Sequence, residues 1–387
     1  MIVLHILQNF APSNLNRDDT GSPKSAEFGG YRRSRISSQC IKRAIRMQFR
    51  SDPLLPSDQL AERTKRVVEE VARILERSVE ESRPVVERAL GAVDIRLTEE
   101  GRTQYLLYLG RTELNRLSQL CHDHWNELAP AGEPSAPAEE ATPRRRGRGS
   151  TRATSATPLR REIVDEMMSL LDGGKAADLA LFGRMLANLP ERNVDAASQV
   201  AHALSTHAVS TEFDFYTAVD DLRPEDTSGA GMLGIIEFNS ACYYRYSTVD
   251  VPSLRDNLGG DTELAQLSLS AFVRATINAI PTGKQNSFAA QSRPSLVLAV
   301  ARERYPASLV NAFVKPARPS RDQDLVQSSA FALDAEWGKL TRMYGDSGIA
   351  GVWLAYGEDE NLPYLESRRL PGVDALVESV TALGGGE

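Results

Sequence analysis

The sequence predicts strands near both ends of the chain and a long helical region between them. This order of elements limits the folds that the chain can adopt. Segments rich in β-branched and aromatic residues are predicted to be strands: 2–8, 232–251 (as a hairpin), 295–303 and 349–357. Apolar side chains at 3.6-residue spacing predict helices in other segments: 57–128, 159–171, 196–207 and 262–280. Strands at both ends with helices between them predict an α+β sheet domain carrying an inserted helical lobe.

Positive charge is concentrated near the start, in NLNRDDTGSPKSAEFGGYRRSRISSQCIKRAIR (14–46). The first 50 residues hold nine basic and three acidic side chains, although the 387-residue chain has a formal net charge of −7. A glycine-rich loop lets backbone N–H groups approach phosphates, which Arg and Lys neutralise. Ser37 or Ser38 can cap a helix over 38–50, whose N-terminus adds oriented donors. One stripe of this helix carries Gln39, Arg43, Arg46 and Arg50. We therefore expect a polyanion site, with a solvated charged face as the alternative.

Several function classes are disfavoured by the sequence. The three cysteines, Cys40, Cys121 and Cys242, are far apart and odd in number, which favours a reduced, cytoplasmic protein. The N-terminus lacks the basic region of a signal peptide, and the apolar runs are too short to cross a bilayer. Nucleotide-binding loops, HExxH and GxSxG are absent from the sequence. We expect no cofactor and no membrane partner.

Two weak metal signals occur. The run Cys121-His122-Asp123-His124 is too tightly spaced for a helical pair of ligands, so a helix with its polar face outward is favoured. Asp18 and Asp19 could hold a divalent ion beside RNA, but Asp is common in turns because its carboxylate bonds nearby backbone. The turn interpretation is favoured, and no metal site is predicted.

Two further stretches could contact nucleic acid. In THAVSTEFDFYTAVDDL (206–222), Phe213, Phe215 and Tyr216 could stack on bases. Their alternation more strongly predicts aromatic rings that pack inward. The stretch APAGEPSAPAEEATPRRRGRGSTRATSATP (129–158) has almost no large apolar residues, so it is predicted to be a flexible loop. Its arginines suit loose electrostatic contact with nucleic acid, or simply a solubilising linker.

The opening string closely resembles the CasC family, the backbone subunit of the type I-E CRISPR Cascade complex. Further resembling stretches follow in order: ALFGRM (180–185), AHALSTHAVSTEFDFYTAVDDL (201–222), GIIEFNSACYYRY (234–246), NLGG (257–260), PTGKQNSFAA (281–290) and NAF (311–313). The resemblance implies an RNA-recognition-motif-like (ferredoxin-like) antiparallel sheet, the palm, with inserted helical fingers and a protruding thumb. The implied divisions are palm 1–50, fingers 51–180, thumb 181–230 and palm 231–387.

The family's role implies a non-catalytic protein of antiviral defence. Several copies would form a helical filament along one guide RNA (crRNA), together with other Cascade subunits, and present it to target DNA. Cutting belongs to a separate nuclease-helicase. Carried over by motif, the guide contacts would be Arg17, Lys24, Arg35, Ser37, Gln39, Lys42, Arg43, Arg46 and Lys284. Met185 would lie near the bases, and Tyr216 and Thr217 in the thumb would fold over the guide. Sequence-independent phosphate contacts suit a protein that must accept any guide.

The helical lobe departs from the family pattern, since residues 51–160 resemble it only as a helical region. Family members hold target DNA through basic residues of the fingers. In this chain the candidates by charge and position are Arg144, Arg145, Arg146, Arg148, Arg160 and Arg161. Two other functions stay open: a metal-dependent ribonuclease using Asp18 or Asp19, as type III backbone subunits use a loop aspartate, and a stand-alone single-stranded RNA-binding protein.

Overall fold

The computed structural model describes residues 1–129, 159–218 and 232–384. The chain forms two compact units. The first comprises Met1–Ser57, Ala180–Gly183 and Asp195–Glu387, and the second comprises Asp58–Leu179 and Arg184–Val194. The second unit is therefore an insertion in the chain of the first. The palm, fingers and thumb divisions at 50, 180 and 230 stay predictions. The predicted loop 129–158 lies, from residue 130 onward, outside the described residues.

The strands, in chain order, are β1 (Ile2–Ser13), β2 (Ser25–Phe28), β3 (Tyr31–Ile36), β4 (Ala61–Thr64), β5 (Leu107–Gly110), β6 (Ser198–Val200), β7 (Ala203–Ser205), β8 (Glu212–Ala218), β9 (Met232–Val249), β10 (Leu296–Arg302) and β11 (Ile349–Tyr356). The helices are α1 (Ser38–Ser51), α2 (Val67–Ile74), α3 (Val79–Gly91), α4 (Arg111–Asp123), α5 (Trp125–Leu128), α6 (Arg161–Leu170), α7 (Ala177–Phe182), α8 (Val251–Asn257), α9 (Thr262–Asn278), α10 (Gln285–Phe288), α11 (Leu325–Tyr344) and α12 (Val373–Gly384). Within the described ranges, no helix combines the length and apolarity needed to cross a membrane.

An antiparallel sheet forms the centre of the first unit, in the order β11-β10-β1-β9-β7-β3-β2. Strand β1 lies between β10 and β9, with Leu7 opposite both Leu296 and Tyr244. Apolar residues on these strands are buried together with residues of α11, which forms a core that includes Val3, Leu298 and Trp337. The predicted α+β class with an antiparallel sheet is confirmed.

Strand β9 is one continuous element, so the hairpin expected within 232–251 is wrong. Its first part, Met232–Phe238, pairs with β8, and the remainder pairs with β1. We call the paired segments Glu212–Ala218 and Met232–Phe238 the β8–β9 ribbon.

Two helix predictions failed locally. Segment 196–207 forms β6 and β7, both paired with β9, instead of a helix. Its backbone hydrogen bonds go to the long neighbouring strand, and tertiary pairing of this kind overrides a weak helical pattern. The block 57–128 also contains β4 and β5, which pair with each other. The other regular elements described in the second unit are helices, and α2, α3, α4 and α6 enclose an apolar core around Val71, Leu90 and Met167.

Helix α1 follows the prediction closely. It begins after Ser37, whose side chain accepts a hydrogen bond from the Cys40 N–H as an N-cap. The predicted apolar face is buried, namely Ile41, Ala44, Ile45 and Phe49. Residues of α1 and of the basic loop that precedes β2 line one cavity.

Candidate nucleic-acid interface

The loop before β2 is held in a defined shape by backbone hydrogen bonds. The Lys24 N–H donates to the Asn16 carbonyl and the Asp18 N–H to the Ser22 carbonyl, each at 2.9 Å. Residues 281–283 lie directly against this loop, because a Cβ atom added at Gly283 would be 2.3 Å from the Leu15 carbonyl oxygen. Only glycine fits such a close approach of two backbones. Segments more than 250 residues apart in sequence thus form one surface.

This loop and α1 enclose a cavity of about 570 Å³. Arg17 and Arg43 both line it, as do Cys40 and Gly283. Two cations separated by 26 positions in the sequence therefore face one concave surface. A single phosphate-bearing strand can contact both cations at such a site.

The helix N-terminus is tied to two neighbouring segments. The Ser37 N–H donates to Asn16 Oδ1 at 2.8 Å, and the Ser38 N–H donates to His202 Nδ1 at 2.9 Å. These bonds fix the start of α1 against the basic loop on one side and against the residue before β7 on the other.

The predicted guide-contact residues differ in exposure. Arg17, Gln39 and Arg43 are exposed, whereas Lys24, Arg35, Lys42 and Lys284 are half-buried. Ser37 and Arg46 are buried, with Arg46 only 8% exposed. The Lys42 ammonium lies 5.7 Å from the Phe182 ring, close enough for a cation–π contact. The accessible part of the stripe is therefore its N-terminal half.

Arg33 shows that not all of the positive charge in the opening string is available to a ligand. Its side chain is fully buried. Its guanidinium donates to four carbonyl oxygens, those of Ser205, Thr206, Phe313 and Val314. Arg33 is thus a structural residue, a role that charge counting could not reveal.

Asp18 behaves as the residue of a turn. Its Oδ1 accepts hydrogen bonds from the Thr20 hydroxyl at 2.8 Å and from the Thr20 and Ser22 N–H groups, each at 3.0 Å. The Thr20 hydroxyl bond is the largest of the contacts that lower the pKa of Asp18. Asp19 is exposed beside it. Across the described ranges, no three His, Cys, Asp or Glu side chains are grouped as metal ligands.

The second metal signal lies at the end of α4. Burial raises the pKa of Cys121 to about 12, so its thiol stays protonated. His122 Nδ1 lies 3.1 Å from Asp123, and His124 Nε2 lies 3.3 Å from Glu166. His122 and Asp123 are exposed at the end of this helix, as the favoured interpretation expected, whereas Cys121 is buried and His124 is half-buried.

The β8–β9 ribbon exposes the aromatic rings that were expected to pack inward. Phe213 is 67% exposed and Phe215 is 58% exposed, so that expectation is wrong. Phe215 pairs with Ile235, which is exposed as well. Tyr216 lies on the opposite face over Gly234, where an added Cβ would be 2.4 Å from the Tyr216 ring. Thr217 is also exposed. The ribbon therefore presents an apolar face that residues of its own strands leave uncovered.

In the second unit Met185 is 81% exposed. Its neighbour Arg184 is buried and forms an ion pair with Glu113, in which Nη1 donates to both carboxylate oxygens, at 2.8 and 2.9 Å. The same guanidinium donates to the Leu171 and Arg192 carbonyls. The sequence named Met185 as a candidate near the bases and gave no indication of the ion pair that Arg184 forms beside it.

Of the candidate DNA contacts, Arg144, Arg145, Arg146 and Arg148 lie outside the described residues. Arg160 is engaged within the unit, because its Nε donates to Glu127 at 2.7 Å and its Nη1 to Glu162 at 3.4 Å. The Arg161 side chain is 94% exposed, with Asp165 3.9 Å away. Arg161 is the more accessible of the two.

These elements define a class: an α+β protein with an antiparallel sheet, a helical insertion and a basic loop–helix surface. The family model of the Cas CT1975-like proteins matches residues 2–379, and the chain belongs to this family. Its structure is similar to a chain of a pre-nicking CRISPR RNA-guided surveillance complex, with 28% identity, a TM-score of 0.81 and 99% of each chain covered. It is also similar to a chain of another CRISPR RNA-guided surveillance complex, with 24% identity, a TM-score of 0.61, and 99% of this chain and 98% of that chain covered. At this lower identity the likeness shows the fold alone. No curated protein matches the chain.

Proposed function

We propose that this chain is a non-catalytic, guide-RNA-binding backbone subunit of a type I-E Cascade surveillance complex. The observation that carries the proposal is the shared cavity lined by Arg17 and Arg43, beside the fixed N-terminus of α1. Loop backbone, helix donors and two cations there suit the phosphates of a single strand. Family membership and the 28% identical chain of a surveillance complex support the same role.

In this role the remaining candidates divide by unit. In the first unit, Lys24, Arg35, Ser37, Gln39, Lys42, Arg46 and Lys284 extend the guide contacts, and Tyr216 and Thr217 of the ribbon cover the guide. In the second unit, Met185 approaches the bases and Arg161 meets target DNA paired to the guide. Several copies share one crRNA with the other Cascade subunits, each copy contributing the same set of contacts.

The proposal predicts salt-dependent, stepwise assembly on RNA. The purified chain is mixed with single-stranded RNAs of increasing length at several salt concentrations, and the mass of each complex is measured. We expect the mass to rise by one chain for each added interval of RNA. Lys24→Ala with Arg43→Ala removes two phosphate contacts, so the slope of log affinity against log salt should become shallower by about 1.4.

The matched control is Arg304→Ala with Arg368→Ala, which removes two exposed cations elsewhere in the first unit. This control should leave the slope unchanged. If the protein mass in the complex stays that of one chain at every RNA length, the result would instead indicate a stand-alone RNA-binding protein. If the RNA is shortened in the presence of magnesium, and this cleavage is lost in Asp19→Ala, the result would contradict the non-catalytic role and favour the ribonuclease. The turn bonds of Asp18 argue against that outcome for Asp18 itself.

A further inference from the structure

His202 occupies a fixed position beside the start of α1. Strand β7 pairs with β3 in the register Ile36↔Ala203, so His202 is the next residue along, beside Ser37. Its Nδ1 accepts the Ser38 N–H at 2.9 Å. Because Ser38 is the first residue of α1, His202 satisfies one of the helix's free N-terminal donors. This contact orients the imidazole ring.

The same bond determines where the ring carries its proton. A backbone N–H can only donate, so Nδ1 must be the unprotonated nitrogen, and a neutral imidazole then carries its proton on Nε2. Partial loss of solvent around the ring, with smaller contributions from the charges of Arg35 and Lys24, lowers the pKa of His202. The ring is therefore neutral at pH 7. Among the residues that the structure describes, none accepts a hydrogen bond from Nε2, and the side chain is exposed.

The surroundings of Nε2 favour an anionic acceptor. Arg35 pairs with Leu204, two residues from His202, and its N–H donates to the Lys24 carbonyl at 2.9 Å, so both cations belong to segments beside the ring and to the proposed guide-contact surface. A phosphate neutralising these cations would bring an oxygen to the edge of α1 where the ring is exposed. We propose that the Nε2–H of His202 donates a hydrogen bond to a guide-RNA phosphate held by Lys24 and Arg35. This inference rests on the proposed function and adds a neutral donor to its charged contacts.

Two substitutions separate the two nitrogens of the ring. In His202→Asn the amide oxygen takes the place of Nδ1 and can still accept the Ser38 N–H, while nothing replaces Nε2. In His202→Gln the longer amide brings an N–H donor to the distance of Nε2. Affinity for a single-stranded RNA of fixed length is measured with the full chain over a range of salt, together with the thermal midpoint of each variant.

We expect His202→Asn to bind RNA about tenfold more weakly, the scale for one hydrogen bond to a charged group. We expect His202→Gln to recover most of this loss. The salt slope should stay at the wild-type value in both variants, because no cation is removed. Lys24→Ala, by contrast, should make the slope shallower by about 0.7. A residue that only caps α1 would instead give equal affinities in wild type and His202→Asn.

The inference fails if His202→Asn binds as wild type, or if His202→Gln is as weak as His202→Asn at an unchanged thermal midpoint. In either case the proposed function stands if Lys24→Ala still weakens RNA binding and makes the salt slope shallower. If neither Lys24→Ala nor the His202 variants weaken RNA binding, the proposed function fails with the inference.

Discussion

Each unit buries an arginine, and the two differ in what offsets the charge. In the second unit Arg184 meets the carboxylate of Glu113 through two hydrogen bonds of 2.8 and 2.9 Å. In the first unit the hydrogen bonds seen for Arg33 among the described residues go to carbonyl oxygens, at distances between 2.6 and 3.3 Å. A buried charge costs several kcal/mol unless it is paired or fully hydrogen-bonded. One arginine is stabilised by an opposite charge and the other by backbone dipoles.

The carboxylate in the second unit serves more than the arginine. Glu113 also accepts the N–H groups of Gly110 and Gly173, each at 2.7 Å. Arg184 reaches in turn to the Leu171 and Arg192 carbonyls. The pair thus joins the end of β5, the turn near 173 and the segment that presents Met185. Removing either partner leaves the other buried with its bonds unmade.

Arg33 joins three segments by a different arrangement. It links β3 to Ser205 and Thr206, which precede β8 in the chain, and to Phe313 and Val314. The rings of Phe28 and Tyr31 lie 5.8 and 5.9 Å from its guanidinium. Cation–π attraction from these rings adds to the carbonyl dipoles. If Arg33 is removed, no charged partner is left behind.

The largest expected effect is therefore that of Glu113→Gln. This change leaves the Arg184 guanidinium buried without a carboxylate, for which the typical loss is about 3–5 kcal/mol of unfolding free energy. Hydrogen exchange of peptides from the second unit, followed against urea, measures the loss. The double variant Glu113→Gln with Arg184→Met is the control, and it should recover part of the loss because the unpaired charge is gone. A loss below 1 kcal/mol would show that the carboxylate is dispensable and would remove the contrast between the two arginines.

A smaller loss is expected from Arg33→Met. The carbonyl oxygens lose a donor but no charge is left unpaired, so the loss should be about 1–3 kcal/mol. Amide exchange in the β8–β9 ribbon should also accelerate, because the segment that precedes β8 loses its hydrogen bonds to Arg33.

Arg245→Met is the matched control. This arginine belongs to the same unit and is also buried, with hydrogen bonds to Gln8 and to the Thr276 carbonyl. It should lower stability without a selective effect on the ribbon, and equal ribbon exchange in the two variants would contradict the role assigned to Arg33.

The fold was largely predictable because its signals are local. The apolar spacing and the serine cap of α1 predicted that helix, and runs of β-branched residues predicted β1, β10 and β11. Segment 196–207 was mistaken for a helix because its structure depends on pairing with β9, which lies dozens of residues away. A short segment without a strong pattern takes the structure that its neighbours in space impose.

The candidate site was predictable in composition but not in exposure. Arg17 and Arg33 look alike in the sequence, yet one lines a cavity and the other is fully buried. That difference depends on carbonyl groups from residues about 170 and 280 positions away. His202 gave no signal of its own, since its position beside Ser37 follows from the pairing of β7 with β3. Motif resemblance made Met185 a candidate, but the ion pair of its neighbour Arg184 with Glu113 is visible only in the structure.

His5 is a buried base that is neutral, unlike the two buried arginines, and its titration has the smallest expected effect on stability. His5 is buried in β1, where its Nδ1 lies 2.8 Å from the Tyr244 hydroxyl. Burial, with a smaller contribution from the charge of Arg302, lowers the pKa of His5 to about 3. The unfolded chain binds a proton near pH 6.5, which the folded chain takes up only near pH 3. Stability from this residue is therefore complete above pH 6.5 and is lost as the pH falls. Between pH 7.5 and 5.5 the loss should be roughly 1.4 kcal/mol.

Urea unfolding of the wild type and of His5→Asn at both pH values measures this loss of stability, since the variant lacks the titration of His5. Parallel losses in the two proteins would show that His5 takes up its proton in the folded state, and that this unit buries a charged base there as it does at Arg33.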